Sequence, residues 1–441
     1  MEDPERKPLK IVHFNDCYSV VERKGDICGG CPRFVALVKS FQQPRLTLFS
    51  GDLWSPSKET NIFKGEQLID PINACEVDCA CLGNHDFDLG IDRLQYLNSR
   101  CKFPWLLSNL TNINGERFAS SLEYHIIEKE GYKVGLIGLI EYDWITTLSC
   151  IDVEDLIYED FIAAGNRLAA LLREEFGCDV VIALTHMRLP NDRRFAQLSQ
   201  GIDLVLGGHD HCYAIEDYKN CLLIKSGTDF LCLSEITLTP LKQGEPIAIE
   251  NRQFEPLNDE NVEPNKKYQY LLPNFKVEVV KRDVVTSIEP DKEMEAHVAG
   301  IHSQMAQKMK CPLFVSNTPL DTKFATVRTK EAGIGNLIAD LIRKEVCADC
   351  SLYNGGAIRA DAVMDHKIYT IGDIDAIHPY QIKVFLVELT SEQILGVLEN
   401  SVSKLPALEG RFCQVSHIKF HYDITKPPGQ RLDPSTLYID G

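Results

Sequence analysis

The stretch "DCACLGNHDFDLG", residues 78–90, decides how the first half of this chain is read. Cys79 to Leu82 is an apolar run, too short for a helix and right for a buried strand. It stops at Gly83, and Asn84, His85, Asp86 and Asp88 follow at once. Glycine lets the backbone turn sharply and come close to other groups. The side chains behind it are of the kinds that bind metal ions or move protons.

The same punctuation recurs. "IVHFNDCYSV" (11–20) places Asp16 just past an apolar run. "RLTLFSGD" (45–52) ends in Gly51 and Asp52, and "DVVIALTH" (179–186) in Thr185 and His186. "IDLVLGGHDH" (202–211) ends in Gly207, Gly208, His209, Asp210 and His211. Helical patterns such as "RFVALVKSF" (33–41) and "NRLAALLREEF" (166–176) lie between such runs, which predicts βαβ units. In open α/β sheets the carboxyl ends of strands face the ligand crevice. A single histidine there is ordinarily a structural one. Repetition at one strand end after another favours a ligand set.

The residue types then point to a chemistry. Asp, Asn and His together suit Zn, Mn or Fe, and suit Mg or Ca less. Two ions about 3.5–4 Å apart need a bridging ligand, and a carboxylate has the lone pairs for it. Asp52 is the natural bridge. Such a pair makes hydroxide available at neutral pH and offsets phosphoryl charge during in-line attack.

Composition sets outer limits. The chain has 441 residues, 44% of them hydrophobic, which suggests two or three core-forming domains. It carries 46 basic and 64 acidic residues, a net charge of -18. That opposes sequence-blind binding to nucleic acid or an anionic membrane. No run reaches the roughly 18 apolar residues of a membrane span. The start, "MEDPERKPLK", lacks the apolar centre of a secretory signal. With 16 cysteines and no such signal, free thiols and a cytoplasmic location are the expectation.

"HFNDCY", "SGD", "GNHDFDLG", "THMR" and "GGHDH" together resemble the calcineurin-like metallophosphoesterases, specifically the 5'-nucleotidase family. "RTKEAGIGNLIADLI", "YNGGAIRAD", "HPYQIKVFLVELT" and "RFCQVSHIKFHYDI" resemble that family's C-terminal substrate domain. The resemblance implies a mixed α/β and α+β chain: a four-layer metallophosphoesterase β-sandwich flanked by helices over 9–285, a linker helix over 286–310, and a smaller α/β substrate-binding domain over 311–441. It implies Asp16, Asp52 and His211 at one metal, and Asp52, Asn84, His186 and His209 at the other. His85 would contact the phosphoryl oxygen or leaving group, oriented by Asp88. Arg328, Asn354, Arg359 and Tyr380 match nucleotide-contacting positions, Tyr380 by stacking on the base. The implied reaction is hydrolysis of nucleoside 5'-monophosphates. A sugar phosphate, a cyclic nucleotide or a nucleotide-sugar diphosphate is the alternative substrate, and a non-catalytic binding protein the alternative role.

The sequence departs from that family's pattern in places. Tyr18 stands where much of the family has a histidine. The reading here is an unligated phenol lining the pocket; phenolate ligation of a harder ion such as Fe(III) is the other. Ile382 replaces a polar residue, and the sequence stops at Gly441, before the segment in which the family carries a second base-clamping aromatic. A modest nucleotide preference is the expectation. "CGGC" (28–31) and "CADC" (347–350) lack partner pairs at zinc-site spacing and are read as incidental. The sequon at Asn109 is read as silent.

Overall fold

The structure is a computed structural model that describes residues 6–146, 148, 150–218, 220–241, 255–365, 367–379 and 384–440. The chain divides into two units, Met1–His302 and Ser303–Gly441.

Two seven-stranded mixed sheets form the centre of the first unit. In one, Leu9–Phe14, Leu46–Phe49, Cys79–Cys81 and Trp105–Leu106 run parallel, and Cys232–Pro240 joins the open side antiparallel. In the other, Tyr132–Ile140, Val180–His186, Leu204–Gly207 and Leu222–Ser226 run parallel. Strands buried on both faces need apolar residues throughout rather than in alternation. "LTLF" and "VVIALTH" are buried at every position.

The inner faces meet in one core. Ile11, Leu48 and Cys81 of the first sheet cluster with Leu136, Ile182 and Leu206 of the second. Outward from the second sheet, Ile137, Ala183 and Val205 contact Leu168 and Leu172 of the helix Phe161–Glu174 and Phe195 of the helix Leu189–Leu198. Outward from the first, Phe14 meets Phe34 of the helix Cys31–Ser40, with ring centroids 4.8 Å apart. The helix–sheet–sheet–helix order is the four-layer sandwich expected from the sequence.

Register brings the strand ends together. Phe14 is level with Phe49, Phe49 with Ala80, Ile140 with His186, and Thr185 with Gly207. The loops that leave these strands therefore start from one edge of the sandwich.

The helix Lys292–Met309 follows. Asp291 accepts from the Glu293 and Met294 amides at its start and pairs with Lys39 at 2.8 Å. His297 Nε2 lies 3.0 Å from the Gln67 carbonyl, so the first half of this helix is tied to the first unit. The division at His302 thus falls inside the helix expected as a linker.

The second unit pairs short strands, including Ser351–Asn354 with Cys413–Ser416 and Ile418–Tyr422 with Leu432–Ile439. Its core gathers Val327, Ile334, Ala339, Tyr353, Ile358 and Tyr369. Thr390 and Gln393 cap the helix Ser391–Val402 reciprocally, as their spacing predicts. The helix Gly333–Glu345 buries Ile334, Gly335 and Ala339 and packs Leu337, Ile338 and Ile342 against the same core, while Leu341 is 58% exposed. Gln414 lies so close to Gly335 that a Cβ there would collide with it, which centres the contact on the small residues.

Candidate active site

At the shared edge, Asp16, Asp52, His209 and His211 all have left-handed backbone, with φ of 54°, 62°, 83° and 58°. Each costs of order 1–3 kcal/mol, and such residues gather where the surroundings over-determine them for function. Close approach is built in as well. A Cβ on Gly83 would collide with the Asp52 carboxylate, and one on Gly208 with the Ser50 carbonyl.

Ligand atoms of Asp52, His186 and His209 lie within 4.8 Å of one another. His186 is fully buried; its Nδ1 lies 2.8 Å from the Ser50 carbonyl, which fixes the proton there. Nε2 is left without a hydrogen-bond partner and faces Asp52 Oδ2 at 3.2 Å. An imidazole nitrogen and a carboxylate oxygen so placed are donors of the kind a transition-metal ion takes. Asn84 Oδ1 joins the set, 3.0 Å from His209 Nδ1. The residues fit a transition-metal ion.

Asp16 and His211 meet at the same edge. His211 Nε2 is 3.3 Å from Asp16 Oδ1. Between them stands Tyr18, only 8% exposed, its hydroxyl 2.9 Å from each of Asp16 Oδ1, Asp52 Oδ2 and His211 Nε2. The phenol is thus in contact with the expected ligand atoms as well as lining the pocket.

The local field is strongly negative. Burial opposes ionisation of Asp16, yet His211, His186 and Asn15 outweigh it and hold its pKa at about 2. Burial also opposes a charge on His186, but Asp52 and Asp16 push its pKa to about 10. A field that holds a proton this firmly also favours a metal cation.

His85 Nδ1 meets Asp88 Oδ2 at 2.8 Å, and Asp88 also accepts from Ser55 Oγ at 3.0 Å. Burial of His85 works against its charge. Asp88 and Asp52 overcome that, and its pKa is raised. The His85 amide donates to Asp52 Oδ1 at 2.8 Å, fastening this pair to the carboxylate that faces His186.

Other residues complete the site without having been singled out in the sequence. Asp86 accepts from the amides of Asp52, Leu53, Trp54 and Gly83, knitting two ligand loops together. Burial, then the charge of Asp52, raises its pKa to about 6 despite those donors. Glu141, buried at the end of the strand Tyr132–Ile140, accepts from Asn191 Nδ2 at 2.6 Å and lies 3.9 Å from His209 Nε2. Lys225 lies beneath the ligand loops. Position was the only signal for Glu141, one residue past the strand end at Ile140, and for Asp86, which follows His85. Asn109 is buried and its Nδ2 donates to the Ile140 and Glu159 carbonyls, so the sequon's amide is already used.

In the second unit, Arg328 and Arg359 lie 4.0 and 5.7 Å from the Phe324 ring centroid. A Cβ on Gly355 would collide with the Val327 carbonyl, so the turn after Asn354 runs beside Arg328. These three expected contacts therefore gather in one region. Tyr380 and Ile382 lie outside the described residues.

Strand-end carboxylates and histidines at one edge of a four-layer sandwich define a metallophosphoesterase. Residues 9–213 match the calcineurin-like phosphoesterase family, and residues 313–441 match the 5'-nucleotidase C-terminal domain family. With both domains in that order, the chain belongs to the 5'-nucleotidase family and is a phosphoric ester hydrolase. Snake venom 5'-nucleotidase of Naja atra is 26% identical to it, over 96% of this chain and 83% of that protein. Human 5'-nucleotidase is 24% identical, over 96% and 77%. The structure of Haemophilus influenzae NAD nucleotidase superposes with a TM-score of 0.66 at 17% identity, covering 99% of this chain and 88% of that one.

Proposed function

We propose that this protein is a dimetal-dependent phosphohydrolase whose substrate is a nucleoside 5'-monophosphate. The observation that carries the reading is the meeting of Asp52, His186 and His209 within 4.8 Å, with the His85–Asp88 pair fastened to the same Asp52. Asp16, Asp52 and His211 would hold one ion, and Asp52, Asn84, His186 and His209 the other. When bound, such ions activate water and offset phosphoryl charge.

The chain's own residues supply the rest. Asp88 accepts the Nδ1 proton of His85 and so orients the ring. Asp88 and Asp52 favour the protonated form of that ring; a cationic ring beside the phosphoryl group would stabilise developing charge and supply a proton to the leaving oxygen. Arg328, Arg359 and Asn354 are assigned to the nucleotide. The fixed fork of each arginine suits a carboxylate, a phosphate or a sugar oxygen.

A second substrate reading has its own support. Among similar proteins, one from Bacillus subtilis, 24% identical over 96% of this chain and 30% of that protein, is named a trifunctional nucleotide phosphoesterase. A panel of nucleoside monophosphates, sugar phosphates, 2',3'-cyclic nucleotides and nucleotide-sugar diphosphates, run with Mn, Zn and Fe, tests both. The highest kcat/KM on monophosphates is expected. A tenfold or greater preference for any other ester replaces the substrate class and leaves the metal chemistry in place.

A further inference from the structure

Arg328 and Arg359 of the second unit converge on one aromatic ring, that of Phe324. The helical turn Phe324–Val327 ends with the Arg328 amide donating to the Phe324 carbonyl at 3.1 Å. Side chains four residues apart on such a turn lie one above the other. The Arg328 guanidinium accordingly lies over the Phe324 ring, 4.0 Å from its centroid. Arg359, on a separate loop, reaches the same ring at 5.7 Å.

The two loops are stitched together around that ring. The Phe324 amide donates to Asp361 Oδ1 at 2.8 Å, two residues past Arg359. The Thr322 amide and hydroxyl both donate to the Ala362 carbonyl, at 2.9 and 2.7 Å. Arg328 Nη1 donates to the Leu408 carbonyl at 2.9 Å, and its Nε is buried without a hydrogen-bond partner. No carboxylate among the described residues pairs with Arg328. A carbonyl and a ring, rather than an acid, therefore hold this guanidinium, which leaves its charge for an anionic ligand. A long arginine side chain without a brace loses its orientation to rotamer freedom. An aromatic face attracts the cation while leaving its N–H donors unoccupied.

We propose that Phe324 is a positioning residue for the nucleotide: its ring holds Arg328 and Arg359 as a preset pair for an oxygen anion of the substrate. This rests on the assignment of both arginines to the nucleotide and adds to it the group that fixes their geometry. Donors held in place beforehand lose less freedom when a ligand arrives. Phe324 acts through the arginines, so its loss weakens binding rather than the chemical step.

The test is kinetic, on the full-length protein supplied with metal, with adenosine 5'-monophosphate and p-nitrophenyl phosphate as probes. Phe324→Leu keeps an apolar side chain and removes the π face. It should raise KM for the nucleotide about 3–30-fold and change kcat by less than about twofold. Its preference for the nucleotide over p-nitrophenyl phosphate, as a ratio of kcat/KM values, should fall by a like factor. Phe324→Tyr keeps the face and should hold the nucleotide KM within about twofold of wild type. A folded Phe324→Leu with the wild-type KM overturns the proposal. An equal loss on both probes marks the ring as merely structural and overturns it too. So does a rise of about tenfold in KM for Phe324→Tyr, the variant that decides if Phe324→Leu does not fold. Arg328→Ala separates the two readings. If it raises the nucleotide KM while Phe324→Leu does not, only the role of Phe324 falls. If Arg328→Ala leaves that KM unchanged, the assignment of the arginines to the nucleotide falls as well.

Discussion

Lys225 and Asp192, both almost wholly excluded from solvent, meet at 2.7 Å beside the loops that carry His186, His209 and His211. The same Nζ pairs with Asp210 at 2.6 Å and donates to the carbonyls of Met187 and Gly208 at 2.8 and 2.5 Å. Met187 follows His186, Gly208 precedes His209, and Asp210 lies between His209 and His211. One ammonium thus ties together the loops that carry three expected ligands. Burial opposes its charge, but Asp192 and Asp210 more than compensate and raise its pKa.

Lys225→Met should therefore act on stability and on metal together. Removing one member of a buried ion cluster costs about 3–5 kcal/mol, because the carboxylates are left without a partner. Metal affinity should fall by about 10–100-fold, as for groups that orient ligands. Urea melts and metal titrations, each also run on Lys225→Arg, check this. Unchanged metal affinity in a folded Lys225→Met would limit the residue to stability.

Asp52→Asn tests the bridge. Asp52 Oδ2 faces His186, and both its oxygens are engaged. The variant should bind fewer metal equivalents by elemental analysis and lose nearly all phosphatase activity. Full activity would falsify the bridging assignment.

His85→Ala should separate chemistry from metal binding. If His85 works on the leaving group, kcat should fall by about 10²–10⁴-fold with metal content unchanged. Asp88→Asn should lower kcat less, because the ring keeps its position but loses its charge partner. Loss of metal along with rate in His85→Ala would make the histidine a ligand.

His13 predicts an acid-sensitive core. It is fully buried between Ser226 Oγ at 2.7 Å and Ser50 Oγ at 2.8 Å. Burial is the main cause that lowers its pKa from 6.5 to about 3. The unfolded chain then takes up a proton below pH 6.5 that the folded chain refuses until about pH 3. Stability from this group is complete above pH 6.5 and is lost on acidification, by about 2–3 kcal/mol at pH 4.5. Denaturant melts of wild type and His13→Gln at pH 7 and 4.5 measure it. An equal pH dependence in the two proteins would sink the assignment.

The sequence by itself determined where the chemistry could sit. Asp16, Asp52, Asn84, His186, His209 and His211 were legible because parallel strands deliver their carboxyl ends to one edge, and an apolar run ending in glycine marks such an end. The pairing of Thr390 with Gln393 was legible for the same kind of reason, since a cap is satisfied within one turn. Tertiary structure alone decided the rest. Lys225 sits inside the apolar run "CLLIKSG", and its partners come from elsewhere in the chain, Met187 among them at a separation of 38 residues. Nothing local distinguishes it from a surface lysine. Asp86 and Glu141 acquire meaning only once strand register sets them against neighbouring loops. The left-handed backbone of Asp16, Asp52, His209 and His211 is imposed by those loops against each residue's own preference. The sequence shows Tyr18 as a tyrosine two residues past an aspartate. The fold places its oxygen against two carboxylates and an imidazole, because hydrogen bonds and coordination are fixed by distances of ångströms that spacing along the chain does not encode.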